Sequence, residues 1–154
     1  MIDKPTIVQI PAQTTAVLRL VVPRAEIQRV MGPGYQELVA EVQAQKIAIT
    51  GPWYTHHFTM PAETFDFEIG VPVATPVAAV GRVKAGQLPA TTVARTTYRG
   101  GYEGLGSAWG ELQAWIAAEG LATAPDLWEV YAVGPESGAD PTKWETQLNR
   151  PLVR

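Results

Sequence analysis

The sequence predicts an α+β fold of two strand–helix–strand–strand units. Their antiparallel sheets are expected to form a central concave groove, with the two main helices on the opposite face. Three observations lead there. The order of apolar strands and one amphipathic helix occurs twice along the 154 residues. Short motifs recur at matching places: Pro11 with Thr15-Ala-Val-Leu-Arg19 resembles Pro89 with Thr91-Thr-Val-Ala-Arg95, Trp53 falls where Trp128 falls, and Val71-Pro-Val73 matches Arg150-Pro-Leu152. Finally, each unit alone is too small to bury both faces of its sheet, so the two should pair. One domain over 1–154 is expected, with pseudo-repeats about 5–75 and 80–154.

The elements follow from composition and period. Thr6 to Ile10 and Thr15 to Val22 are β-branched apolar runs, expected as one strand with an irregularity near Pro11. After Met31-Gly-Pro33, Tyr35, Leu38, Val39 and Val42 recur at helical spacing with Gln36, Glu37, Glu41 and Gln45 opposite. Trp53 to Phe58 reads as a strand, then a proline turn, then a strand from Thr64 to Val73. Gly81 to Arg99 reads as a strand pair hinged at Leu88-Pro89. A helix from about Glu103 to Glu119 carries the stripe Leu105, Ala108, Trp109, Leu112, Trp115 and Ile116, and Gly120 stops it. Trp128 to Val133 is a strand, Gly134 to Pro141 a turn-rich loop, and Trp144 to Leu152 the last strand.

Composition narrows the function classes. With 46% hydrophobic and 18% charged residues the chain is globular rather than disordered. A formal charge of −3, with no basic run, argues against non-specific nucleic-acid binding. The absence of cysteine excludes disulfides and thiolate metal sites and fits a cytoplasmic protein. The first eleven residues lack a signal-peptide layout, and no apolar stretch is long enough to span a bilayer. His56 and His57 point to opposite faces of their strand and cannot share one metal ion. No metal or cofactor is expected. Gly100-Gly-Tyr-Glu-Gly-Leu-Gly106 lacks the lysine ending of a phosphate loop, and Glu103 would repel phosphate there. Ser107 and Ser137 lack a nucleophile-elbow setting.

The chemically conspicuous residue is Glu129, an acid inside the strand Leu127-Trp-Glu-Val-Tyr131. A carboxylate on a core-like strand is costly unless something meets it. Tyr131 shares its face, and aligning Trp53 with Trp128 puts Tyr54 and His56 on the same side. Trp109 and Trp115, at helical spacing with Leu112, read as core.

Gly81-Arg-Val-Lys-Ala-Gly-Gln-Leu-Pro89, Tyr98-Arg-Gly-Gly-Tyr102 leading to Trp109 and Trp115, Trp128-Glu-Val-Tyr131 before Gly134-Pro135, and Trp144-Glu-Thr through Arg150-Pro-Leu152 resemble the GyrI-like effector-binding domain. Gly51-Pro52 and Phe67-Glu-Ile-Gly-Val-Pro72 fit its first half, so the resemblance covers nearly the whole chain. It implies a small-molecule-binding role, drug or effector sensing or sequestering, with Glu129 as the pocket acid. The expected partner is a lipophilic small molecule, cationic or planar, held by Glu129, Tyr131, Tyr54, His56, Phe58 and Tyr98. No helix-turn-helix region is read, so direct DNA binding is not expected. The alternative that the resemblance carries is a hydrolase opening electrophilic, cyclopropane-bearing DNA alkylators. In that case Glu129 activates water and Tyr98 or Tyr131 polarises the substrate carbonyl.

Overall fold

A computed structural model of the chain describes residues 2–58, 63–133, 138 and 140–153. The expected proline turn after Phe58 and most of the Gly134 to Pro141 loop, with Ser137, lie outside them. The elements in chain order are β1 (Thr6–Ile10), β2 (Gln13–Pro23), α1 (Ile27–Ala44), β3 (Tyr54–His57), β4 (Thr64–Pro72), β5 (Val83–Leu88), β6 (Thr91–Arg99), α2 (Leu105–Ala118), β7 (Ala122–Thr123), β8 (Leu127–Val133) and β9 (Glu145–Val153). They group into two units, Pro11–Ala90 and Met1–Ile10 with Thr91–Arg154. We call these the first and second unit.

In the first unit the antiparallel strands lie in the order β5-β2-β4-β3, with Thr15 opposite Gly86, Leu18 opposite Ile69, and Ile69 opposite Thr55. Ala16, Leu18, Leu20, Phe67 and Ile69 point to one face and meet Leu38 and Val42 of α1. In the second unit the order is β1-β6-β9-β8, with β7 on the far end of β9. Ala94, Tyr98 and Leu148 form its helix-facing side and pack on Ala108, Leu112 and Ile116 of α2. Burying a Leu or Ile side chain stabilises by about 1.5–3 kcal/mol, so these two clusters hold each helix to its sheet. Each unit therefore contains the expected strand–helix–strand–strand order and an α+β layering of one helix on one sheet.

Three local expectations are corrected. Thr6 to Val22 is not one strand: Thr6 pairs with Arg95, whereas Gln13 pairs with Leu88. Pro11 offers no N–H to a ladder, so pairing stops there. Gly81 to Arg99 is not a strand pair, because β5 joins β2 and β6 joins β1 and β9. Apolar alternation specifies a strand but not its neighbour. The third correction concerns α1, which begins at Ile27 and keeps Pro33 inside. Ile27, Val30 and Met31 pack on the core, and that burial outweighs a proline cost of about 3 kcal/mol. The second helix stops as read, with Gly120 in the left-handed region at φ 69°.

Gly70 of β4 lies under the ring of Tyr54, where an added Cβ would collide with the phenol. The Tyr54 hydroxyl donates to Thr15 Oγ1 at 3.0 Å, so the ring cannot simply swing away. Gly70→Ala is expected to destabilise by about 1–3 kcal/mol through overpacking. Thermal unfolding should show a midpoint lower by roughly 2–4 °C per kcal/mol. A variant melting with the parent would refute this packing.

Among the described residues, no helix is long and apolar enough to cross a membrane. No group of His, Asp and Glu among them is arranged to hold a metal ion.

Candidate functional site

Cross-strand register decides which side chains share a face, because residues directly opposite in an antiparallel ladder point the same way. In the second unit Glu129 stands opposite Leu148, and Leu148 opposite Thr96. The next row is Tyr131, Thr146 and Tyr98. Leu148 and Tyr98 belong to the cluster under α2, so Glu129 and Tyr131 face their own helix. Trp109, on the α2 stripe, donates its indole N–H to Glu129 Oε2 at 2.6 Å. The Tyr131 hydroxyl donates to Glu129 Oε1 at 2.8 Å. Both carboxyl oxygens are thus met by aromatic donors.

The aromatic surroundings extend further. Tyr102, in the 3-10 turn before α2, meets Tyr131 edge-on at 5.8 Å and lies against Trp144 at 5.1 Å. Trp144 is fixed by its indole N–H donating to Gly138 O at 3.0 Å. Asp140 accepts from the Thr142 backbone N–H and hydroxyl, which shapes the turn leading into Trp144. Tyr98 is buried, and its hydroxyl donates to Gly101 O at 2.7 Å. Its ring fills the space where Gly104 would carry a side chain, so Tyr98 fastens the turn into α2.

Electrostatics follow from enclosure. Burial pushes the Glu129 carboxyl above the usual carboxylate range, and the hydrogen bonds from Trp109 and Tyr131 offset this only in part. The residue as a whole keeps partial exposure, while its carboxyl is enclosed by indole and phenol. Among the described residues no Lys or Arg pairs with it. Such a group is a carboxyl held toward its neutral form.

The first-unit candidates lie differently. Tyr54 pairs with Gly70 and His56 with Glu68, on the face of that sheet turned away from α1. Tyr54 is buried, and burial raises its phenol far above the ordinary range. His56 and Phe58 lie 5.0 Å apart, and the Arg19 guanidinium stands 5.5 Å over Phe58. The expectation that Tyr54 and His56 take the same kind of face as Glu129 and Tyr131 is therefore corrected. Trp53 lies before β3 and packs on Tyr35 at 4.5 Å, toward α1, whereas Trp128 points away from α2. The two tryptophans do not share a phase. Aligning Arg19 with Arg95 instead puts His57, opposite Phe67 and Leu20, at the position of Glu129, opposite Leu148 and Thr96.

Three residues of the second-unit cluster were not among the sequence candidates: Trp109, Tyr102 and Trp144. By its sequence spacing Trp109 reads as core, yet a buried indole N–H needs an acceptor, and that requirement is the signal available in the sequence.

No curated protein matches the chain. Its fold is that of the EcmrR C-terminal domain, with a TM-score of 0.86, 20% identity and 98% of each chain covered. In the cryo-EM structure of the EcmrR–DNA complex the same similarity spans only 57% of that longer chain. SAV2435 bound to tetraphenylphosphonium is similar with a TM-score of 0.67 and 12% identity, over 98% of this chain and 94% of that one. A hydrolase from Listeria innocua is similar with a TM-score of 0.66 and 14% identity, over 97% of this chain and 92% of that one. At these identities the likenesses establish the fold. The model of the GyrI-like small molecule binding domain matches residues 3–152, and the chain belongs to that family.

Proposed function

We propose that this protein binds lipophilic cations or planar aromatic molecules at Glu129, in the second unit. The observation that carries this is the Glu129 carboxyl, enclosed by Trp109 and Tyr131 with no cationic partner among the described residues. A soft cation supplies the missing charge, and the rings offer their negative faces to it, worth roughly 0.5–2 kcal/mol per ring. Of the sequence candidates, Glu129 and Tyr131 make the contacts in this role and Tyr98 supports the wall. Tyr54, His56 and Phe58 are not assigned to this site. The binding of tetraphenylphosphonium by the structurally similar SAV2435 supports the ligand class. Direct nucleic-acid binding is not part of the role, given a formal charge of −3 without a basic run.

The test is a titration of the protein with tetraphenylphosphonium and with neutral triphenylphosphine oxide, followed by tryptophan fluorescence. Saturable quenching by the cation is expected, weakened about tenfold or more by Glu129→Gln, with the neutral analogue little affected. Equal weakening of both, or no quenching, would count against the role.

The hydrolase alternative gains no specific support. The Tyr98 hydroxyl is committed to Gly101 O, and both Glu129 oxygens already accept aromatic hydrogen bonds.

A further inference from the structure

The face of the second unit turned away from α2 carries an arginine whose acid partners are missing. The motif Thr15-Ala-Val-Leu-Arg19 of β2 matches Thr91-Thr-Val-Ala-Arg95 of β6. In the first unit Arg19 stands opposite Glu68, with Asp66 one row on, and its guanidinium grips Asp66 through Nε at 2.9 Å and Nη2 at 2.6 Å. In the second unit Arg95 stands opposite Asn149, and the row holding Gln147 takes the place of the Asp66 row. Both acids are replaced by amides.

The contacts show what this leaves. Arg95 Nε donates to Asn149 Oδ1 at 2.8 Å, and Asn149 Nδ2 donates to Gln147 Oε1 at 3.3 Å. Among the described residues, no carboxylate pairs with Arg95. Desolvation lowers its pKa with no opposing acid, as a half-buried cation without a counter-charge requires. Asn149 is fully buried and orients the guanidinium through Nε, which leaves the Nη edge for another acceptor. The Gln147 amide N–H and the Thr97 hydroxyl belong to the adjoining row of the same face. A planar fork beside neutral donors suits a two-oxygen acceptor.

We propose that Arg95, with Gln147 and Thr97, forms a second ligand site that takes the carboxylate of a small organic acid. It lies on the opposite face of the sheet from Glu129 and does not depend on the role assigned there. The external carboxylate occupies the place that Asp66 fills for Arg19.

Benzoate is the probe, with inorganic phosphate as the comparison anion, and the signal is the NMR resonance of the Thr97 backbone N–H, which every variant retains. A saturable benzoate-dependent shift is expected, with phosphate weaker. Arg95→Met should abolish it, and Glu129→Gln should leave it unchanged. Gln147→Glu, at a partly exposed position, restores an internal acid; it should weaken benzoate about tenfold or more and raise the melting midpoint at low salt. Asn149→Asp should act likewise, and Gln147→Glu stands alone if that buried change prevents folding. No saturable shift in the parent, a shift that persists in Arg95→Met, or phosphate binding tighter than benzoate would overturn the assignment.

Discussion

Replacing Glu129 by Gln should make the protein more stable at neutral pH while weakening its hold on a lipophilic cation. In the native state burial raises the Glu129 carboxyl above its ordinary range, so folded protein binds the proton more tightly than unfolded chain does. The linkage then has a definite sign. The stability contributed by Glu129 is fully present below the ordinary glutamate pKa and is lost as pH rises through the raised native value. At neutral pH the parent therefore bears a cost that the amide does not. Gln keeps the shape: its carbonyl accepts from Trp109, and the Tyr131 hydroxyl turns to accept from the amide. A gain of about 1–2 kcal/mol is expected, the usual return from relieving a strained functional group. The midpoint should rise by roughly 2–4 °C per kcal/mol, and the advantage should shrink as pH falls.

Cation binding should follow the same proton. A bound cation favours the ionised carboxylate, so binding tetraphenylphosphonium to the parent releases a proton. Affinity should fall about tenfold per pH unit below the native pKa of Glu129, and Glu129→Gln should bind weakly with no such slope. Calorimetry in two buffers of different ionisation enthalpy checks the proton release. A parent affinity flat with pH, or a Gln variant less stable than the parent at neutral pH, would show that the carboxyl is not the group that senses charge.

How much of this is legible in the sequence depends on which physical signal carries it. The α2 stripe was readable because period 3.6 shows one face, and Ala108, Leu112 and Ile116 are indeed its buried members. Glu129 stood out because an acid in a β-branched strand is costly. Its partner Trp109, 20 residues away, was hidden because helix roll over a sheet is a tertiary quantity. Strand exchange between the halves was invisible for a similar reason: Thr6 to Ile10 has the same pattern whether it pairs with β2 or with β6. The tryptophan alignment misled since an aromatic ring fits either face of a strand. The arginines were the better anchor, because each meets a polar residue directly opposite, Glu68 for Arg19 and Asn149 for Arg95.

That anchor places His57 of the first unit at the position of Glu129 in the second, and the two make opposite demands on pH. His57 is buried between Phe67, stacked at 5.0 Å, and Phe65, edge-on at 5.5 Å, and its Nδ1 has no hydrogen-bond partner. Burial, with a smaller push from His56, lowers its pKa from 6.5 to about 4. The unfolded chain takes up this proton near 6.5 while the native state refuses it until about 4. Stability from His57 is thus full above 6.5 and is lost as pH falls through that window, a difference of about 3 kcal/mol at 1.36 kcal/mol per unit. His57→Phe should remove this loss and relieve the unpartnered nitrogen, so its advantage over the parent should grow steadily from pH 7 toward 4.5. Urea unfolding of both proteins across that range measures it, since acid effects common to both cancel in the difference. Glu129→Gln should show the reverse trend, its advantage shrinking as pH falls. A His57→Phe advantage constant with pH would mean that folded and unfolded chains bind the His57 proton equally, so that the core does not hold the imidazole neutral.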